Sequence, residues 1–462
     1  MIFSSKSKLE QHVINLKGKT VNSLLGGKEF DKGKGAIGQI IEREGFGMAN
    51  NNEARPDFDN LGIELKILPL KRTAKNDLTV KERTKICSIN YVKLIDEHWD
   101  HSHAKNKLQE ILFVFYEYNK VDPSNSTIID YLFFQLENSD EPLIRSDWER
   151  TRGLVEKGLA HELSESQNVI LAASRSGAGG LSEDKWDVQP NNSQKARKRA
   201  FSLKPSFTKV LWNEVRDPNG YDTILSLQKY KDYKELENII LERINKWQGK
   251  SLADFAEYHG LEGGSSKNSS ATIVRAALGF KGKQKKIKEF EQLGLTVKTT
   301  PCRSSDLYPF EAMSFPFQPL GEIQEEDRFD ESQFYTYLQG FLFIPLLRDS
   351  REEKDLWNVY FGKAVIWRPT HKELVSIQME WESINQTIKE GVILTRKPAR
   401  TRKGYIMLNN LPGEKDTNYI HMRPHGRDSD DIDESYEKAT ITKQCFWFNK
   451  KLIQNILKSK TV

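Results

Sequence analysis

Three side chains with chemistry to offer stand close together in this chain. Asp57 follows Pro56, and seven residues later comes the run Glu64-Leu65-Lys66. Apart from Glu64 and Lys66, residues 63–68 are apolar or β-branched, and Pro69 closes the stretch, which is the pattern of a strand. Side chains alternate along a strand, so Glu64 and Lys66 share one face while Ile63, Leu65 and Ile67 pack behind it. Asp57 falls at the start of the same hairpin or bend. Two carboxylates, one ammonium and the Leu65 carbonyl can then meet in a single cluster. Hard oxygen donors of this kind suit Mg2+. A cation held there polarises a phosphate and lowers the pKa of a bound water, while a lysine stabilises charge developing on phosphorus. The chemistry implied is phosphodiester hydrolysis. An exposed hairpin with an incidental ion pair has the same spacing, and Glu183-Asp-Lys185 and Glu352-Glu-Lys354 repeat Glu-x-Lys without the preceding Pro-Asp or a strand pattern.

The elements that must position this cluster can be read coarsely. Residues 6–26 and 36–46 are expected to be helical, the second with a glycine-rich entry. Strands are expected over 61–69 and 110–118, with a helix over 145–158. Short strands follow near 168–173 and 200–203, and a helix begins near 206. A few strands flanked by helices make an α/β or mixed α+β architecture. The length of 462 residues calls for two or three domains. The net charge of +5 fits a nucleic-acid binder but does not single one out. Dense basic clusters occur at Lys195–Arg199 and Lys281–Lys288, where a solvated face and a DNA-facing surface are both open readings. The three cysteines, Cys87, Cys302 and Cys445, lie too far apart in sequence for a metal knuckle or a disulfide framework. With no apolar run of membrane-spanning length and no apolar leader in Met1–Lys6, the expected compartment is a reducing cytoplasm, without a membrane partner. Gly33-Lys-Gly35-Ala-Ile-Gly38 has dinucleotide-type spacing but lacks the preceding buried strand. His101 and His103 have no third ligand at zinc spacing, and His161-Glu162 lacks the second histidine of a zinc protease.

The chain also echoes itself. Phe58–Lys66 is matched by Phe290–Lys298, Trp148 with Gly158 by Trp381 with Gly391, and Gly18-Lys-Thr20 by Gly249-Lys-Ser251. The offsets are 232, 233 and 231 residues. A fourth echo pairs Arg199–Leu203 with Gln444–Phe448 at an offset of 245, implying an insertion. Order and spacing argue for duplication. The expected domains are 1–220, a linker at 221–235, and 236–462. In register, Asp57 becomes Glu289, Glu64 becomes Thr296 and Lys66 remains Lys298, while Glu42 falls near Ala277. The second copy is expected to keep the fold without a working metal site.

Taken whole, Pro56-Asp-Phe-Asp-Asn-Leu-Gly-Ile-Glu64-Leu-Lys66-Ile-Leu-Pro69 resembles the active-site segment of the MutH family. That family includes a mismatch-repair nicking enzyme and the Sau-type restriction endonucleases that cut GATC. Gly38-Gln-Ile-Ile-Glu42 resembles the family's helix bearing a further acidic residue, Lys34-Gly35 its DNA-contact turn, and Trp99–Leu108 its W-x-x-S-H-x-x-x-K-L stretch. The resemblance to MutH spans about residues 15–212, and that to the Sau-type enzymes the whole chain. It implies two restriction-endonuclease-like (PD-(D/E)xK) domains in tandem, the second degenerate. It implies Mg2+ as cofactor, held by Asp57, Glu64, Leu65 and Glu42, and a catalytic set of Asp57, Glu64, Lys66, Glu42 and Lys107. Lys34, Gly35, Arg175, Ser176 and Lys204 would contact DNA, with Ser176 standing where the family carries a lysine. The implied partner is duplex DNA containing GATC. The protein is expected to be a monomer when free and a dimer or looped complex on DNA, with a modification methyltransferase as genetic partner.

Overall fold

The computed structural model describes residues 2–30, 33, 35–48, 55–73, 76–80, 82–137, 140–176, 182–261, 270–281, 285–398 and 405–459. The chain forms two compact units whose division is not contiguous in sequence. One contains residues 1–235 and 285–294, the other 236–284 and 295–462. No described helix is long and apolar enough to cross a membrane.

The first unit begins with helices α1 (Lys6–Leu16), α2 (Val21–Leu25) and α3 (Ala36–Ile40). The single helix expected over 6–26 is two: Gly18 takes φ +81°, and the Thr20 side chain caps a new helix by accepting from the Ser23 amide. After α3 the chain continues as a π-helical turn over Ile41–Gly45. Strands β1 (Glu64–Arg72), β2 (Leu78–Val80) and β3 (Thr84–Ser88) come next, then helices α4 (Tyr91–Leu94) and α5 (His103–Leu108). Strands β4 (Glu110–Glu117) and β5 (Thr127–Gln135) and helix α6 (Glu141–Glu156) follow. Strands β6 (Leu171–Arg175), β7 (Trp186–Gln189), β8 (Asn192–Arg197) and β9 (Arg199–Leu203) lead to helix α7 (Pro205–Arg216) and the short strand β10 (Tyr221–Asp222).

The main sheet has the order β2-β1-β4-β5, with β1 parallel to β4 and Glu64 opposite Ile111. β4 lies at its centre, and its segment Ile111–Phe115 is fully buried, as a strand covered on both faces requires. Leu9 and Val13 of α1 and Ile37 and Ile40 of α3 pack with Ile63, Leu65, Leu112 and Val114. On α7, Phe207 meets Phe134, and Trp212 meets Phe115 at 5.0 Å between ring centroids. A second sheet, β3-β9-β6, is antiparallel throughout.

Helix α8 (Tyr233–Asn245) carries the chain from the first unit into the second, where α9 (Leu252–His259) and α10 (Ser270–Leu278) follow. The chain then returns to the first unit as strand β11 (Lys286–Ile287) and helix α11 (Lys288–Gln292). This strap is fastened thoroughly. β11 pairs with β10, Lys288 meets Glu214 at 2.7 Å, Gln292 donates to Asp140 at 2.9 Å, and Glu289 accepts from the Leu225 amide at 3.0 Å.

The second unit resumes with strands β12 (Leu295–Arg303) and β13 (Met313–Ser314) and helices α12 (Leu320–Ile323) and α13 (Gln333–Tyr337). Strands β14 (Gly340–Arg348), β15 (Tyr360–Phe361) and β16 (Val365–Trp367), the long helix α14 (His371–Glu390), and strands β17 (Leu394–Pro398) and β18 (Tyr405–Asn409) come next. Strands β19 (Ile420–Pro424) and β20 (Gln444–Phe448) and helix α15 (Lys450–Ser459) complete it. β12 runs parallel to β14, as β1 does to β4, and an antiparallel sheet β13-β20-β19 matches β3-β9-β6.

Candidate active site

The segment Asp57–Lys66 folds back on itself. Phe58 and Ile63 exchange backbone hydrogen bonds of 2.8 and 3.3 Å around a turn that Gly62 closes at φ +69°, a left-handed conformation open to glycine. The Asp57 carboxylate accepts from the Leu65 amide at 2.9 Å, which fixes it beside β1. In an extended strand the amide and carbonyl of one residue leave the chain on the same side, so the Leu65 carbonyl faces the same edge as Asp57.

Glu64 is the centre of charge and only 2% exposed. Lys66 Nζ lies 2.5 Å from its Oε1, and Lys107 Nζ sits 3.0 Å from both of its carboxylate oxygens. Lys107 reaches this position from the last turn of α5. Ser102 sets that helix by accepting from the Lys105 amide at 3.1 Å, and buried Leu108 anchors its end. The Arg55 carbonyl, which has no signature in the sequence pattern, accepts from Lys107 at 3.4 Å.

Glu42 projects from the π-helical turn after α3, a kind of helix irregularity frequent at functional sites. Burial pushes its carboxyl above the usual carboxylate range; Lys66 opposes the shift, and Asp57 and Glu64 add to it. Burial likewise raises the Asp57 carboxyl, with repulsion from Glu64 adding, while Lys66, the Leu65 amide and Lys107 oppose. Glu42, Asp57, Glu64, Lys66 and Lys107 therefore form one electrostatic cluster of three carboxylates and two lysines. Among the described residues, no three Asp, Glu, His or Cys side chains converge tightly enough to hold a metal unaided. Asp57, Glu64 and the Leu65 carbonyl still fit a hard divalent cation. They are oxygen donors at one strand edge, and the upward shifts of Asp57 and Glu42 mark carboxylates short of positive charge.

The residues expected at DNA lie on several elements. Lys34 lies outside the described residues. Gly35 caps α3 at φ +84° with open space around it. Arg175 ends β6, and the Ser176 amide donates to the Lys198 carbonyl. Lys204 corrects the expectation: it is 5% exposed, and its ammonium donates to the Asn168 carbonyl. It braces the turn before β6 from inside, where a DNA strand cannot reach it. The same turn is held by Asp147, fully buried, whose carboxylate accepts from the amides of Val169, Ile170 and Leu171.

The model of the family described as DNA mismatch repair enzyme MutH matches residues 46–147 and 278–380. The starts differ by 232 residues (278 − 46) and the ends by 233 (380 − 147), the offsets of the sequence echoes. Two regions in tandem thus match the same family model. The first contains Asp57, Glu64, Lys66 and Lys107, and Glu42 lies just ahead of it. The chain is also 28% identical to the type II restriction enzyme Sau3AI of Staphylococcus aureus over 481 aligned positions, covering 95% of this chain and 96% of that protein. The DNA mismatch repair protein MutH of Shewanella amazonensis is 28% identical over 188 positions, 40% of this chain and 80% of the relative. The MutH of Vibrio cholerae is 26% identical over 181 positions, 39% of this chain and 80% of that protein.

In the second matched region the counterpart strand β12 presents Thr296 and Lys298 where β1 presents Glu64 and Lys66. Glu289, in the position of Asp57, belongs to the strap and accepts from Thr223 and the Leu225 amide. Burial pushes the Lys298 amine below its usual range.

Proposed function

We propose that this chain is a site-specific deoxyribonuclease: a Mg2+-dependent type II restriction endonuclease that hydrolyses duplex DNA at GATC through its first unit. The observation that carries the proposal is the Glu64 cluster, in which two lysines clasp one buried carboxylate beside Asp57. The relatives named as a restriction enzyme and as MutH proteins support it. When bound, the cation supplies a Lewis acid for the scissile phosphate and a water of lowered pKa. Asp57, Glu64 and the Leu65 carbonyl hold it, and Glu42 completes the set or orients water. Lys66 positions the nucleophile and stabilises charge developing on the phosphorus. Lys107 orients Glu64 rather than touching the DNA.

The second unit binds a further GATC copy without cutting it, and that binding favours the active form. Such an effect requires the two forms to bind the second site differently. A similarity that spans 95% of the chain favours the restriction enzyme over a mismatch-repair nickase, since the MutH relatives correspond to about two-fifths of it. The free protein is a monomer that pairs or loops on DNA, and its genetic partner is a methyltransferase that protects the host's GATC sites.

The test is a cleavage time course with Mg2+ on supercoiled plasmids carrying one or two GATC sites. Double-strand cutting at GATC, faster per site on the two-site plasmid, is expected, with reversible loss in EDTA. Nicking alone would favour the repair-type reading. No cleavage would leave a GATC-binding protein, and equal rates on both plasmids would remove the effector role.

A further inference from the structure

The ribbon β17–β18 in the second unit is an addition to the repeated fold. Twelve residues (159–170) separate Gly158 from β6 in the first unit, and twenty-eight (392–419) separate Gly391 from β19 in the second. The surplus of sixteen equals the length of Leu394–Asn409. The repeated architecture therefore closes without this ribbon, and packing does not account for it.

Both faces of the ribbon meet solvent. The pairing places Arg396 opposite Met407 and Lys397 opposite Ile406. Directly opposed residues share a face, so Arg396, Tyr405 and Met407 lie on one side and Thr395, Lys397, Ile406 and Leu408 on the other. Tyr405 is 57% and Met407 59% exposed, and Ile406 and Leu408 are also exposed. At the base, Leu394 touches the core, and the Asn410 side chain accepts from the Ile393 amide at 2.8 Å. An isolated two-stranded ribbon in water is only marginally stable, and exposed apolar residues gathered on one element mark an interaction surface.

Charge identifies the occupant. Residues 394–409 contain five Lys or Arg (Arg396, Lys397, Arg400, Arg402, Lys403) and no Asp or Glu, so this one segment carries as much net positive charge as the whole chain of 462 residues. The Arg396 guanidinium stacks over the Tyr405 ring at 4.1 Å, which orders it without neutralising it. A basic ribbon with apolar side chains on both faces suits the major groove of B-DNA, which is wide enough for two strands. There Arg396 and Lys397 contact flanking phosphates, and Met407, Ile406 or Leu408 meets thymine methyl groups.

We propose that β17–β18 is a DNA-reading ribbon that enters the major groove of the duplex bound by the second unit. The proposal rests on the chain being a DNA enzyme and adds the element and groove that hold the non-cut site. It is tested with full-length protein, a 30-base-pair duplex containing one GATC, EDTA to prevent cutting, and fluorescence anisotropy over a range of salt. Replacing both cations (R396A/K397A) is expected to weaken binding at least about 10-fold and to lower the slope of log K against log salt by about 2 units, one per lost phosphate contact. Met407→Ser is expected to weaken binding with the slope unchanged. Melting temperatures should match the wild type, because all three side chains are exposed. Wild-type binding that both variants retain, in affinity and slope, overturns the ribbon's role. Failure of the wild type to bind any duplex overturns instead the DNA reading of the whole chain. Self-association of the wild type that Met407→Ser abolishes, with DNA binding intact, overturns the proposal in favour of a protein contact.

Discussion

The two repeated halves of the chain share a scaffold, and at the positions of the Glu64 cluster they differ in a few side chains. In each, a left-handed glycine (Gly62 at φ +69°, Gly294 at φ +60°) feeds a strand that runs parallel to its neighbour. In each, a buried serine caps the short helix that follows: Ser102 accepts from Lys105 and Ser332 from Tyr335. The acidic residue before the helix tryptophan clasps three successive amides, Asp147 those of Val169 to Leu171 and Glu380 those of Asn418 to Ile420. After the last strand, Lys204 in one and Asn449 in the other brace the turn entering the antiparallel sheet, donating to the Asn168 and Thr417 carbonyls. The differences fall where chemistry would be: Glu64 against Thr296, Lys107 against Tyr337, and Asp57 against a glutamate enlisted by the strap. The scaffold thus depends on caps, clasps and packing that are independent of the Glu64 cluster, and a copy can change those side chains while keeping its shape.

The largest effect should separate the two strands directly. Glu64→Ala is expected to reduce cleavage by at least about 10³-fold, the upper range for losing one electrostatic group at a reacting centre, with DNA binding kept. Thr296→Ala should leave cleavage within about twofold, on the view that no group there meets a reacting atom. Plasmid cleavage and anisotropy measured side by side check this, and a comparable loss in both would erase the proposed division of labour.

A smaller split is expected between the capped helices. Lys107→Ala should cost about 10- to 100-fold in cleavage, the scale for partners that orient a metal ligand, with the loss partly recovered at higher Mg2+. Tyr337→Ala should leave the Mg2+ dependence of cleavage unchanged. A Mg2+ titration of initial rates reads this difference.

The amide clasps should behave alike in kind but not in size. Asp147→Ala leaves three buried amides unpaired and is expected to lower stability by about 2 kcal/mol, from the cost of orphaned buried donors. Glu380→Ala, in a more open setting, should cost about 1 kcal/mol by the same reasoning. Denaturant unfolding monitored by tryptophan fluorescence gives both; a clasp that costs nothing would not be part of the shared scaffold.

The smallest effect concerns pH without metal. The raised carboxyls of Asp57 and Glu42 bind protons more tightly in the folded chain than in the unfolded one. Their stabilising contribution is complete below the ordinary carboxylate range and is lost as pH rises through the raised folded values. In EDTA, Asp57→Asn should therefore melt higher than wild type at neutral pH, with the gap closing as the pH falls below the carboxylate range. Thr296, in the position of Glu64, has no carboxyl to titrate, so Thr296→Asn should show no such trend. Equal pH profiles for Asp57→Asn and wild type would remove the strain assigned to the cluster.

Much of this arrangement was legible because it is local. The Asp57–Lys66 hairpin needs ten consecutive residues, and its alternation and its glycine are visible in them, but Pro69 does not close the strand, which runs on to Arg72. Lys107 is forty-three residues from Glu64 and was reached through the resemblance, because no local rule links them. Lys204 was misplaced because charge in a sequence says nothing of depth, and a buried lysine that holds a carbonyl reads like one that contacts DNA. Strands β7 and β8 escaped notice because a polar, exposed hairpin lacks the apolar alternation by which strands are recognised. The ribbon β17–β18 is similar: its lysines and arginines hide a strand that its backbone pairing makes plain.

The strap also imposes an order in time. Asp140, Glu214 and the Leu225 amide receive their partners from residues 288–292. During synthesis those partners leave the ribosome only after residues 236–284, forty-nine residues of the second unit (284 − 236 + 1), have already emerged. The first unit therefore cannot finish folding as a self-contained amino-terminal product, and a chain that stops at residue 236 leaves that unit with an open seam where the strap would pair.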